Sequence, residues 1–439
     1  MGAAPSGIKG YTRTVRAFSH DMRLYILFTL IGYLNIGVFQ VLYNLYLNRI
    51  GLHEDFIGTF TAINTITIAV TALAIGPIVN RYGPWIVVVF GFTIFCITSV
   101  GLTLSRGTLL LLIFAALQGI GTSFFSNPTM LIVLEYTTNE TRQHASAIVY
   151  SSQALSGTLG NLGGGLLPKL IFLLFPALTA GSVGSYRATL MIGVVIAGLA
   201  LLPLLRMRPV TGERRGEMAG VRRQMPVEAK KEAGTRRADF YVFIISGGLL
   251  AVASGAVIPF YNVYLTRLGA STQVVGYIYA AAALVAAVVG LTGPVVAAKF
   301  GALTTVGFLR ASPLPLFIAM IFAPHLLLAV PAHALRVTSI NMSWPIDSTF
   351  IADLLPVRQR AYVFSIRSVL WNGAWAVTSI IAGRLIRATN SYATVFVIYA
   401  VFLVLSVGLF QVYFTRRLAE RARLGLGPAG QQSRHDASR

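Results

Sequence analysis

The 439-residue chain has a single cysteine, Cys96, and only 11% charged residues, with 14 acids against 35 lysines and arginines. A lone cysteine excludes a disulfide framework and a thiolate metal cluster. So little charge excludes an ordinary water-soluble domain, in which about a quarter of residues are charged. There is no Gly-x4-Gly-Lys-Ser/Thr loop, so ATP hydrolysis is not expected to power the chain. There is also no His-Glu-x-x-His pair, no nucleophile elbow and no carboxylate pair at an active-site spacing. The reading is of a non-enzyme that requires neither cofactor nor metal. The net charge of +21 does not imply nucleic acid, because that partner needs the charge gathered on a folded soluble domain.

What the chain has in abundance is apolar surface: 55% hydrophobic residues and a mean hydropathy of +0.72. A core this large and this apolar does not form in water, so the expected solvent is the lipid bilayer. Runs of about 20 apolar residues, enough for a ~30 Å hydrocarbon layer, fall at 24–47, 56–78, 84–104, 108–134, 145–173 and 186–206. Six more fall at 240–264, 272–297, 302–323, 326–354, 361–384 and 391–414. The predicted fold is all-α, with twelve transmembrane helices.

The two sets of six are copies. Tyr43-Asn44-Leu45-Tyr46-Leu47-Asn48-Arg49-Ile50-Gly51 is answered 218 residues later by Tyr261-Asn262-Val263-Tyr264-Leu265-Thr266-Arg267-Leu268-Gly269. Gly58 answers Gly276, and Arg81-Tyr82-Gly83 answers Lys299-Phe300-Gly301. Two hydrophobic repeats are the usual construction of a secondary transporter, with substrate held between them at mid-bilayer. The expected organisation is an N-terminal six-helix bundle (1–206), a cytoplasmic linker (207–238), a C-terminal bundle (239–418) and a cytoplasmic tail (419–439). Basic residues set the orientation. Lys9, Arg13, Arg16, Arg23, Arg81, Arg142, Lys299, Arg358 and Arg360 share one side with the basic stretches 206–237 and 416–439. Both termini are therefore expected in the cytoplasm, with no cleavable signal peptide ahead of the first span.

Six plus six helices, a long basic central loop and the loop Gly76-Pro77-Ile78-Val79-Asn80-Arg81-Tyr82-Gly83 together resemble the major facilitator superfamily. Its signature there is Gly-x-Leu-Ala-Asp-Arg-x-Gly, and Asn80 stands in place of the aspartate. The second copy, Pro294 to Gly301, keeps only Lys299 and the last glycine. Leu117-Gln118-Gly119 resembles the family's fourth-helix motif, with Ala115 where its arginine is expected. The glycine series Gly157, Gly160, Gly163, Gly164 and Gly165 loosely resembles the fifth-helix motif of drug antiporters, without its Gly-Pro pair. Close helix packing explains it equally. The resemblance implies alternating access of two bundles, with Gly76, Asn80, Arg81, Gly83, Glu135, Arg142, Lys299, Asp353 and Arg358 as a cytoplasmic latch.

Only three acids, Glu135, Asp347 and Asp353, fall inside or at the very end of the expected spans, together with Arg310, Arg336, Arg367 and His333. Intramembrane charge is costly and marks candidate function. Asp347, Arg310 and Arg367 lie at one depth, ~12 Å from the cytoplasmic end of their helices at 1.5 Å per residue. They are read as one charged cluster, either a coupling site or a structural ion pair. His333 and Arg336 lie nearer mid-bilayer. The resemblance places the first and seventh helices along a cavity, making Asn35, Gln40, Tyr43, Asn44, Ser254, Tyr261 and Asn262 further candidates, with Trp371 as an aromatic wall.

The functional reading is secondary active transport of a small solute, with proton-coupled export of a drug-like or amphipathic metabolite in first place. Uptake of an organic anion or sugar is the alternative. A non-transporting sensor or lipid scramblase of the same fold is the alternative of another class. The expected partners are a small-molecule substrate, a coupling proton and the lipid of the plasma membrane, with the protein a monomer.

Overall fold

The computed structural model describes residues 18–138, 141–175, 183–209, 237–355 and 357–423, without the side chains of 353, 357–359, 361 and 421. The linker expected at 207–238 and the tail at 419–439 lie almost wholly outside the described residues, as do the side chains of Asp353 and Arg358. Every regular element described is helical. The first repeat supplies α1 (His20–Arg49), α2 (Glu54–Tyr82), α3 (Pro84–Leu104), α4 (Thr108–Ser126), α5 (Thr129–Tyr136), α6 (Arg142–Leu174) and α7 (Val183–Arg206). The second supplies α8 (Arg237–Val257), a 3-10 turn (Ile258–Phe260), α9 (Tyr261–Arg267), α10 (Thr272–Gly290), α11 (Gly293–Phe300), α12 (Ala302–Ala311), α13 (Leu314–Phe322), α14 (Leu326–Leu354), α15 (Val357–Thr389) and α16 (Ala393–Arg423).

The sequence repeat is also a backbone repeat. Arg49 and Arg267 end helices at matching positions, and Glu54 and Thr272, Pro84 and Ala302, and Thr108 and Leu326 begin them, each pair 218 residues apart. Four glycines have left-handed φ: Gly51 (+89°), Gly83 (+86°), Gly269 (+92°) and Gly301 (+84°). They are two pairs at the same offset. A left-handed residue just past a helix end turns the chain at little cost only when it has no Cβ. The same turn is therefore written twice with the same residue.

Eleven helical stretches are long and apolar enough to cross a membrane. The stretch 326–354 is long enough at 29 residues, but His333, Arg336 and Asp347 make it more polar than the rest. The polar helix carries much of the site described below.

Contacts divide the chain into two units. One is Met1–Gly51, Ile66–Met225 and Thr272–Tyr277; the other is Leu52–Thr65, Pro226–Ser271 and Ile278–Arg439. The start of α2 thus belongs to the second unit, and the start of α10 to the first. In the first unit α1 packs along α6 and α7, and α3 along α4. Its core is aromatic, with Phe92 edge-on to Phe28 (4.8 Å) and to Phe125 (5.3 Å). In the second unit α8 packs along α15 and α16, over a core of Phe243, Phe350, Phe410 and Phe414.

Glycine sets the close approaches. A Cβ on Gly160 of α6 would collide with the Leu34 carbonyl and lie 2.9 Å from Gly37 Cα of α1. Gly164 meets Val38 the same way, whereas Gly157 and Gly163 meet nothing closer than 3.8 Å. The glycine series of α6 therefore packs α1 at two of its positions.

Candidate functional site

All seven charged side chains buried among the described residues lie in the second unit: Glu54, Asp239, Arg310, Arg336, Asp347, Arg367 and Arg417. A charge in an apolar interior is tolerable when an opposite charge and hydrogen bonds replace its water. Where each finds that replacement separates structural pairs from candidate binding groups.

Asp347 of α14 is fully buried and accepts from two arginines. Arg310 of α12 donates to its Oδ2, and Arg367 Nη2 of α15 does so at 2.9 Å. Ser348 Oγ adds a contact to Oδ1 at 3.3 Å. The Arg367 guanidinium lies between the rings of Phe243 (4.3 Å) and Trp344 (4.2 Å), and Arg310 lies over Phe410 (5.3 Å). Aromatic faces attract cations most strongly where water is excluded. Trp344 meets Trp371 edge-on at 5.2 Å, which ties the aromatic wall to the cluster. One acid between two arginines leaves the group with a positive excess, and Nε of both arginines lacks a partner.

In the N-terminal half of α14 lies a different group. Arg336 Nη2 faces His333 Nδ1 at 3.2 Å. The His333 ring lies against Tyr261 (5.1 Å) and Tyr279 (4.3 Å), and Arg336 lies over Tyr261 at 6.0 Å. The Tyr261 hydroxyl donates to the Ala329 carbonyl at 2.6 Å, which fixes that ring.

Two buried acids lie at the margins of the expected spans, where sequence reading passed over them. Glu54, in the first turn of α2, accepts from Arg267 Nη2 at 2.6 Å and from the Tyr392 hydroxyl at 2.9 Å. Arg267 also donates to Asn390 at 3.0 Å and lies over the Tyr392 ring at 5.2 Å. Burial, and then the neighbouring Glu54 carboxylate, push the Tyr392 phenol well above the usual tyrosine range, so it remains a donor at neutral pH. Asp239 accepts from Arg417 at 3.1 Å and from Tyr413 at 2.7 Å, anchoring the start of α8 to α16. The available signal was pairing: Glu54 follows a helix-ending glycine, and Arg267 ends the second copy of the same helix.

The start of α10 holds the repeat counterpart of the Glu54 site. Thr272 occupies the position of Glu54, and its hydroxyl lies 2.6 Å from that of Tyr186, in the first unit. A Cβ on Gly276 would come 2.6 Å from Gly165 Cα, while one on Gly58 would collide with the Ser379 carbonyl. The same glycine position seats both segments; one site carries charge and the other does not.

The remaining candidates are distributed as follows. Asn35 is fully buried, with neither amide atom hydrogen-bonded, against Gly193 of α7. Gln40 is exposed and Asn44 half-buried. Tyr43 is buried, its hydroxyl 3.4 Å from the Leu102 carbonyl. Ser254 is buried, and buried Asn262 accepts from the Val263 amide at 2.9 Å. Of the latch candidates, Gly76, Asn80, Arg81 and Lys299 are exposed. Arg81 lies over its neighbour Tyr82 (5.2 Å) and Lys299 over Phe300 (5.3 Å), and neither forms an ion pair among the described residues. Gly83 supplies the turn, and Glu135 and Arg142 are half-buried. Among the described residues no group of three His, Cys, Asp or Glu is placed to hold a metal.

Repeated helices of membrane-spanning length, with the buried charge gathered in the second unit, define a multi-pass membrane transporter. The sequence profile of the Major Facilitator Superfamily matches residues 25–345, and the chain belongs to that superfamily. Solved structures share the fold. A variant of the nucleoside transporter NupG superposes with a TM-score of 0.70 at 15% identity, covering 90% of this chain and 100% of that one. A bacterial homologue of the human lysosomal transporter Spinster, inward-facing and occupied, gives 0.66 at 19% identity over 95% and 98%. A D-xylose-proton symporter gives 0.67 at 17% identity over 89% and 96%. Comparison with curated proteins finds no match.

Proposed function

We propose that the chain is a secondary active transporter that moves a small amphipathic solute across the plasma membrane by alternating access, with export driven by a proton gradient. The observation that carries this reading is the confinement of every described buried charge to the second unit, with three of them, one each on α12, α14 and α15, gathered at Asp347. Membrane proteins retain intramembrane charge where it serves a pathway or a coupling step. Uptake of an organic anion is the second reading, favoured by the arginine surplus around α14. In both readings the termini are cytoplasmic and the protein is monomeric in lipid. The Glu54 and Thr272 segments then belong to the external ends of their helices, and the loops of Arg81 and Lys299 to the cytoplasmic ends. The test is movement of labelled solutes in proteoliposomes under a pH gradient of either sign. Export requires accumulation driven by one sign of the gradient and uptake by the other. A sensor would move nothing under either, and a scramblase would move lipid without regard to the gradient.

A further inference from the structure

We propose that Arg336, with His333, Tyr261, Tyr279 and Tyr399 around it, binds the anionic group of the transported solute. This rests on the transport reading above and narrows its substrate to small organic anions that carry a carboxylate, phosphate or sulfonate on an aromatic or apolar body. The other buried arginines each have a carboxylate: Arg310 and Arg367 share Asp347, and Arg417 has Asp239. Arg336 has none. It is 6% exposed, makes one hydrogen bond, to His333, and its buried Nε has no partner. An arginine stays charged in a protein and offers five N–H donors in a planar fork suited to an oxyanion. A buried guanidinium with most of that fork unused lacks an acceptor, and the missing acceptor must be negative to balance it.

The surroundings fit the same ligand. Because arginine only donates, His333 Nδ1 must accept, which leaves the ring neutral with its proton on Nε2, a further donor. Tyr279 packs on His333 at 4.3 Å, Tyr399 packs on Phe317 at 4.2 Å, both are buried, and neither hydroxyl makes a hydrogen bond among the described residues. Tyr261 is committed to Ala329, and its ring with that of His333 forms a fixed wall. Asp347 does not supply the missing charge: it holds two arginines already and lies 11 residues further along α14, ~16 Å at 1.5 Å per residue. Donors without acceptors, one net positive charge and flat aromatic faces exclude a cationic ligand and leave a neutral sugar short of the required charge.

The test uses the purified full chain in detergent. Melting temperature is followed against benzoate, phenyl phosphate and naphthalene-1-sulfonate, with benzyl alcohol and benzyltrimethylammonium as neutral and cationic controls. At least one anion is expected to raise the melting temperature in a saturable way, and neither control should. Arg336→Gln is expected to weaken that anion about 10- to 150-fold, the range for hydrogen bonds to a charged group. If Arg336→Gln does not fold, Arg336→Lys and Tyr279→Phe carry the test, each with a smaller loss. Stabilisation by none of the anions beyond benzyl alcohol overturns the proposal, as does anion binding undiminished in the Arg336 variants. Failure here is separable from failure of the transport reading. A protein that binds anions in detergent but moves no solute in liposomes contradicts transport, whereas movement of neutral solutes without anion binding contradicts this site alone.

Discussion

Glu54 Oε1 accepts from Arg267 Nη2 at 2.6 Å, although Glu54 is wholly buried and Arg267 keeps about a third of its side chain exposed. The pair spans 213 residues and joins the first turn of α2 to the end of α9 within the second unit. It is the charged member of two equivalent seats, the other being Thr272 against Tyr186.

The Glu54 seat should be labile once its charge is removed. Ile57, one turn further along α2, is fully buried. A cysteine placed there in a Cys96→Ser background is expected to react slowly with maleimide. Adding Glu54→Gln should speed the reaction about 5- to 150-fold, as for a coupling of 1–3 kcal/mol. An unchanged rate would show that the glycine contacts alone hold the segment. Tyr392 is a neutral donor to this carboxylate, and its raised pKa means that its contribution holds below the ordinary tyrosine value near 10 and is lost only as pH rises beyond it.

The Asp347 cluster makes a sharper prediction. Removing one partner of a buried charge set typically costs about 3–5 kcal/mol, because the remaining charges are left uncompensated. Asp347→Asn is therefore expected to lower the melting temperature strongly. Arg310→Gln or Arg367→Gln in that background should recover part of the loss. Double variants no more stable than Asp347→Asn would contradict the shared-carboxylate geometry.

Within α6 two glycines should respond oppositely. Gly160→Ala forces a Cβ into the α1 backbone and is expected to cost about 1–3 kcal/mol by overpacking. Gly157→Ala meets nothing within 4 Å and should gain about 0.5–1 kcal/mol from reduced chain entropy. Thermal unfolding of the two variants side by side checks this, and equal effects would contradict the packing of α1 on α6.

Arg81 is expected to matter for cycling and not for the stability of this conformation. It is exposed and makes no ion pair among the described residues, so Arg81→Ala should shift stability by no more than about 0.5 kcal/mol. If the residue latches the loop in another state, spin labels on the loops of Arg81 and Lys299 should report a changed conformer ratio. A melting-temperature drop without a change in that ratio would reverse this assignment.

How much of this was legible in the sequence depended on whether a residue's role was periodic. The 218-residue register carried over into helix ends and left-handed glycines because a turn without a Cβ leaves a mark in the sequence. The common depth of Arg310, Asp347 and Arg367 was legible because depth follows from counting along a helix, and the structure brings their side chains together. Glu54 and Asp239 were missed because they sit at helix starts, where an acid ordinarily faces water and complements the helix dipole. Only tertiary packing buries them. Asn35, Tyr43 and Tyr261 are cavity candidates by their place on the first and seventh helices; in the structure Asn35 lies against Gly193 and the hydroxyls of both tyrosines approach backbone carbonyls. Which face of an almost wholly apolar helix turns inward is weakly encoded, since lipid and core are alike to leucine.

The measurement that tests the account most directly is solute counterflow in proteoliposomes loaded with the anion that stabilises the protein best. It needs no gradient and no assumption about direction. The account predicts transient uptake of external labelled anion into loaded vesicles, lost in Arg336→Gln and retained in Gly157→Ala at equal protein density. Uptake no greater than in protein-free vesicles, for every anion that binds, would contradict it.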